Sequence, residues 1–144
     1  MYRKVLLAYD GSLEGRLALR EGAELARTCG AGVVLLAVVD LSAGILFAEG
    51  ATAGAVDHQR ETYESVLAEG ARHLEAIGFA PETRLETGDP GECIERVARE
   101  VGADLVVVGH RHQGTLQRWW SGSVAAHLMD HLGCSLLIGR KDVA

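Results

Sequence analysis

The chain is predicted to fold as a doubly wound α/β domain, a five-stranded parallel sheet in the order 3-2-1-4-5 with helices on both faces. Two observations carry the prediction. The runs KVLLAY (4–9), VVLLAVV (33–39) and DLVVVG (104–109) are continuously apolar and show no inside–outside alternation, as strands buried on both faces do. They alternate with segments of helical period, giving βαβ, a loop, then αβαβαβ. Right-handed crossovers then leave strand order 3-2-1-4-5 as the simplest arrangement. The 144 residues suit one domain, 1–144, with one core.

Each element follows from local chemistry. After the first strand, Ser12 is a suitable N-cap and Gly30 a suitable C-cap. Between them Ala18, Gly22, Leu25, Ala26 and Cys29 share one helical face, small enough to sit close to a sheet. Residues 41–56, rich in Gly and Ala, read as a loop or short turn. A long helix is expected from about Asp57 to Ile77, with Tyr63, Val66, Leu67, Gly70, Leu74 and Ile77 inward and Gly78 ending it. ETRLET (82–87) is a more polar strand, at or near an edge. Pro90 suits the first turn of the next helix, whose inner face is Ile94, Val97, Ala98 and Val101. A last helix, from about Gly122 to Leu132, leads into the strand CSLLIG (134–139).

This order puts the topological switch between the strands at 4–9 and 104–109. Ligands of such sheets bind beyond the carboxyl ends of those strands. AYDGS (8–12) and VGHRHQG (108–114) must meet there. A phosphate site needs free backbone N–H groups and a helix N-terminus. Gly109 permits a tight exit from its strand, Gly122-Ser123 opens the last helix, and Asp10 can accept from a ribose hydroxyl. Glycines at strand ends and Gly-Ser at helix starts also serve in ordinary loops, so spacing alone does not separate a cradle from a connection.

Composition narrows the classes. A formal net charge of −6 disfavours nucleic acid and anionic membranes as partners, and the apolar runs are far short of a membrane span. Cys29, Cys93 and Cys134 show no metal or redox spacing and read as buried thiols in a cytoplasmic protein. His110 and His112 are two ligands without a completed zinc set. His127 and His131, spaced i, i+4, fit an exposed helix face better than a chelate. Trp119-Trp120 suits a core seal under a loop as well as base stacking. Ser12 has no base beside it; Glu14 and Glu21 read as a solvated helix face. Neither GxxxxGK[ST] nor GxSxG occurs. The acidic cluster of a receiver domain and the Ser/Thr-rich phosphate loop of a flavodoxin are also missing.

In order and spacing, VLLAYDGS, VVLLAVVD, GDPGECI, ADLVVVG and the GSVAAHLM…CSLLIG ending resemble the universal stress protein family over essentially the whole chain. The resemblance implies a Rossmann-like, adenine nucleotide α-hydrolase-like fold and a stress-response role. Nucleotide-binding members carry a glycine, two residues, a second glycine, nine residues, then Gly-Ser or Gly-Thr. Gly109, Gly122 and Ser123 match; His112 replaces the second glycine, with Gly114 two positions late. By position the resemblance makes Asp10 the acidic residue at the nucleoside and Val38 the backbone contact to adenine. Ala8, Val108 and Val124 become further lining positions.

Two functions remain. The first is a nucleotide-sensing module holding ATP with Mg²⁺, or another adenine nucleotide, and at most a slow hydrolase, since no base or arginine finger is placed. Here His112 pairs with phosphate, helped by His110, Arg111 and Arg118. The second is a nucleotide-independent interaction protein in which His112 fills the crevice and unknown protein partners are docked. A homodimer through the last strand (136–140) is expected in both, because a bare apolar edge strand demands a cover and the family implies that pairing.

Overall fold

The structure, a computed structural model, describes residues 1–40, 53–110 and 122–140. Five strands are present: β1 (Lys4–Ala8), β2 (Gly32–Val39), β3 (Glu82–Thr87), β4 (Leu105–His110) and β5 (Ser135–Arg140). The helices are α1 (Leu13–Cys29), α2 (Ala53–Ala76), α3 (Pro90–Val101) and α4 (Gly122–His131). The sheet order is β3-β2-β1-β4-β5 with every pair parallel, as the sequence predicts. One boundary differs. Residues 53–56, expected in a loop, already belong to α2. The rest of that loop, 41–52, lies outside the described residues.

Two apolar layers flank the sheet. Val5, Leu7 and Tyr9 of the first strand segment pack against Ala18, Leu19, Ala23 and Ala26 of α1 and Val66 and Leu74 of α2. Leu6, Val34, Leu36 and Val106 face the other way, onto Ile94 and Val97 of α3 and Leu128 of α4. Of the stripe expected on α1, Ala18, Gly22 and Ala26 are buried, but Leu25 and Cys29 are only half-buried, and Gly15, Leu19 and Ala23 also lie inside. Apart from Leu19, the buried face of α1 is glycine and alanine, and these small residues bring the helix close to the sheet. Ile77, expected inside, is 43% exposed, because it follows the last residue of α2.

The closeness can be measured. A Cβ on Gly22 would lie 2.6 Å from Leu7 Cδ2, and one on Gly139 only 2.7 Å from Ala18 Cβ and 2.9 Å from its Cα. One on Gly109 would meet the backbone of Glu14 and Gly15 at 2.7 Å. Gly109 and Gly139 are register partners on β4 and β5. The first half of α1 therefore lies over a pair of adjacent glycines.

The ends are fixed by caps. Ser12 Oγ accepts from the Gly15 N–H at 2.9 Å, and Gly30 closes α1 in the left-handed region at φ 66°. Asp89, not anticipated as a cap, accepts from the Glu92 N–H at 3.0 Å beside Pro90. At the outer strand β3, Arg84 bonds Glu86 and Glu100 at 3.3 and 2.8 Å, and Arg96 bonds the same two carboxylates at 2.9 and 3.3 Å. Charges on an edge discourage strand addition. The opposite edge, β5, carries half-buried Leu136, Leu137 and Ile138.

Replacing Gly139 by Ala forces α1 off the sheet and should cost about 1–3 kcal/mol, lowering Tm by about 3–10 °C. Gly133→Ala, where a Cβ meets nothing within 4 Å, should change stability by less than about 0.5 kcal/mol. Urea unfolding followed by circular dichroism checks both. Equal stability of the two variants would refute the close seat.

Candidate functional site

The carboxyl ends of β1 and β4 stand side by side, with Leu7 in register with Val107. Beyond them the chain turns through Asp10, Gly11 and Ser12 into α1. Asp10 is only 4% exposed, and its Oδ1 accepts from the Ser12 N–H at 2.9 Å. Gly11, at φ 82°, adopts a backbone that glycine favours. A Cβ on Gly15 would sit 2.9 Å from Asp10 Oδ1, so the first turn of α1 rests directly on the carboxylate. Helix N-termini stabilise negative charge, and Asp10 takes that place here.

Among the predicted site residues, Ala8, Val38, Val108 and Val124 belong to one buried cluster at the β2–β1–β4 end of the sheet, closed by the first turn of α4. Gly109 lies beside them, half-buried, pressed by α1. Gly122 and Ser123 open α4, as expected. His112, with Arg111, Gly114, Arg118 and Trp119-Trp120, falls outside the described residues. The structure thus joins Asp10, Gly109 and the apolar lining. It also gives Gly109 a packing duty, the seat of α1, that the sequence reading assigned to a strand exit.

A second group was not anticipated. Tyr9, fully buried, donates its hydroxyl to Glu69 Oε1 at 3.1 Å, and Arg16 pairs with the same oxygen. His73 Nε2 lies 3.6 Å from it. Burial, with the neighbouring Glu69 charge, pushes the Tyr9 phenol above its ordinary range, though the Arg16 bond opposes this. Burial also raises Glu69, but the bonds from Arg16 and Tyr9 outweigh it and hold the carboxyl below its ordinary value. Glutamate in mid-helix gave no pattern; the contact joins residues 60 positions apart.

On the other face, His127 Nε2 meets Glu95 Oε2 at 2.9 Å, and the His127 and His131 rings stack with centroids 4.2 Å apart. Parallel stacking does not converge two nitrogens on one ion. Among the described residues no group of three or more His, Cys, Asp or Glu is placed to hold a metal. Cys93 is buried, while Cys29 and Cys134 are half-buried, not enclosed as expected. Burial raises the Cys93 and Cys134 thiols, which makes them poor nucleophiles. No described helix is long and apolar enough to cross a membrane. What the site offers is a shaped apolar wall, a fixed carboxylate and helix-opening amides. Such an arrangement suits binding, and among the described residues no nucleophile is paired with a base beside it.

A depressed glutamate contributes stability above its ordinary value, 4.5, and loses it as pH falls through the lower folded value. Glu69→Gln should therefore be less stable than the parent at pH 7, with the gap closing below about pH 4.5. Denaturation midpoints from pH 7 to 3 measure this; a gap that does not close would remove the charge from the account.

Comparison with known proteins agrees with the geometry. A putative universal stress protein of Staphylococcus epidermidis is 29% identical over 155 residues, covering 98% of this chain and 86% of the relative. The structure of a universal stress protein from Archaeoglobus fulgidus in complex with dAMP is 25% identical with TM-score 0.71, covering 96% of this chain and 98% of that one. A universal stress protein crystallised in complex with cAMP has the same identity and TM-score, covering 95% and 96%. A sequence model of the universal stress protein family matches residues 1–140. The chain belongs to the universal stress protein family.

Proposed function

We propose that this protein is a binding module for an adenine nucleotide, held at the crevice between β1 and β4. The observation that carries the reading is that Asp10 and Gly109 both lie against Gly15 of the first turn of α1, at the topological switch, with α4 opening at Gly122-Ser123. Relatives of the same fold bind cAMP and dAMP, which supports an adenine nucleoside as the common element. In this reading Val38 presents backbone to adenine, Ala8, Val108 and Val124 wall the base and sugar, and Asp10 accepts from a ribose hydroxyl. The amides at Gly122 and Ser123 receive phosphate. His112 stands where binders carry glycine and decides how many phosphates fit. Mg²⁺ accompanies the nucleotide only if the triphosphate is bound.

Thermal unfolding with and without ATP–Mg²⁺, AMP and cAMP at millimolar concentration tests this. A ligand at 100 times its Kd adds about 2.7 kcal/mol, a rise of about 5–10 °C here. Asp10→Ala should abolish most of that rise. If His112 obstructs, His112→Gly enlarges the ATP shift; if it is a ligand, His112→Ala removes it. No shift with any of the three nucleotides in any of these variants would refute the reading in favour of a nucleotide-independent interaction protein.

The β5 edge supports a second proposal, a homodimer joined through residues 136–140. The half-buried Leu136, Leu137 and Ile138 and the strand's outer position leave an edge to cover. Sedimentation equilibrium at micromolar concentration should give twice 15.3 kDa, and deletion of 136–144 should give monomer or insoluble protein. A monomeric intact chain, or a soluble dimer after deletion, contradicts it.

A further inference from the structure

A groove of about 360 Å³ runs between α1 and the C-terminal half of α2. It lies on the α1/α2 face, and its lower end reaches the amino ends of the strands, away from the β1–β4 crevice. Its volume falls in the range of small-molecule sites, about 300–1,000 Å³. The floor is apolar: Leu19 and Leu74, buried beneath, and Ile77, exposed on the wall. The rim is cationic. Arg16, Arg20 and Arg27 line it, with the His73 ring beside them, against one carboxylate, Glu24, although the chain as a whole carries −6.

Two of these arginines are committed. Arg16 pairs with Glu69 at the upper end. Arg27 donates to the Ile77 carbonyl and lies 5.2 Å above the Phe79 ring at the lower end. Both therefore stand as fixed posts. Arg20, between them on α1, makes no ion pair or hydrogen bond among the described residues. A guanidinium offers a planar fork suited to a carboxylate. Here it lines a groove with an apolar floor and has no partner among the described residues, while the Glu24 charge on the rim disfavours a polyanion.

We propose that this groove is a second ligand site, for a small amphipathic monoanion of the medium-chain carboxylate class. The carboxylate is received by Arg20, and the apolar body lies on Leu19, Leu74 and Ile77. Ile77, exposed just past the end of α2, supplies apolar wall that such a body covers. The proposal does not depend on nucleotide binding, since no groove residue lines the crevice.

The test uses the intact chain and anilinonaphthalene sulfonate, a fluorescent monoanion with an apolar body. Saturable binding is expected. Arg20→Gln should weaken it at least about tenfold, the loss of one charge-assisted contact. Ile77→Ser should weaken it also, and both side chains are exposed enough for these variants to fold. Decanoate should displace the probe, whereas decylamine and ATP should not. The proposal is overturned by absence of saturable binding, by an affinity unchanged in either variant, or by displacement with decylamine. Displacement by ATP would also overturn it, by placing the probe in the crevice, and would leave the nucleotide reading intact.

Discussion

The rest of the molecule depends on how closely α1 lies on the sheet. Gly22 above Leu7, and the Gly109–Gly139 pair beneath Glu14, Gly15 and Ala18, leave no space for a single added carbon. Dispersion falls steeply with separation, so small residues on both surfaces bring two rigid elements into full contact. That contact fixes where α1 begins. Its first turn then presses on Asp10, and Asp10 holds the Ser12 amide. The position of the candidate site is a consequence of the packing of small residues a few ångströms below it.

Gly109 seats the helix, and in the proposed reading the same glycine also opens the phosphate-binding stretch. Removing its freedom from side-chain bulk would move α1, Asp10 and the strand exit together. The same helix carries the charges of its outer face. Arg16 reaches Glu69, which reaches Tyr9, the residue before Asp10. A continuous polar contact thus links the crest of β1 to the α1–α2 surface, where a carboxylate held ionised by two donors spans two helices.

Much of this architecture was legible from the amino acids. Unbroken apolar runs located all three inner strands, and Ser12, Gly30 and Pro90 marked helix ends by chemistry that acts over three or four residues. Topology also brings Ala8, Val38, Val108 and Val124 into one buried cluster. Errors arose where distance in sequence was large or where size outweighed hydrophobicity. Period alone puts Leu25 inside, but the close approach to the sheet is made by Gly15, Ala18, Gly22 and Ala23, and Leu25 is left half-buried at the margin. Asp104, whose carboxylate receives the Arg3 and Lys4 amides at 2.9 and 3.1 Å, ties the β4 entrance to β1 across 100 residues and carries no local signature. The bonds from Arg3 and Lys4 hold that carboxyl below its ordinary range. Tyr9 and Glu69 went unseen for the same reason.

In the proposed reading an adenine nucleotide occupies the crest of β1 and β4. Amide chemical shifts of the isotope-labelled chain during a titration with AMP test it most directly, because they report location as well as binding. Saturable changes are expected at Gly11, Ser12, Val38, Gly109 and Ser123, with Leu74 and Arg27 unmoved. Changes confined to the α1–α2 groove, or none at millimolar AMP, ATP or cAMP, would contradict it.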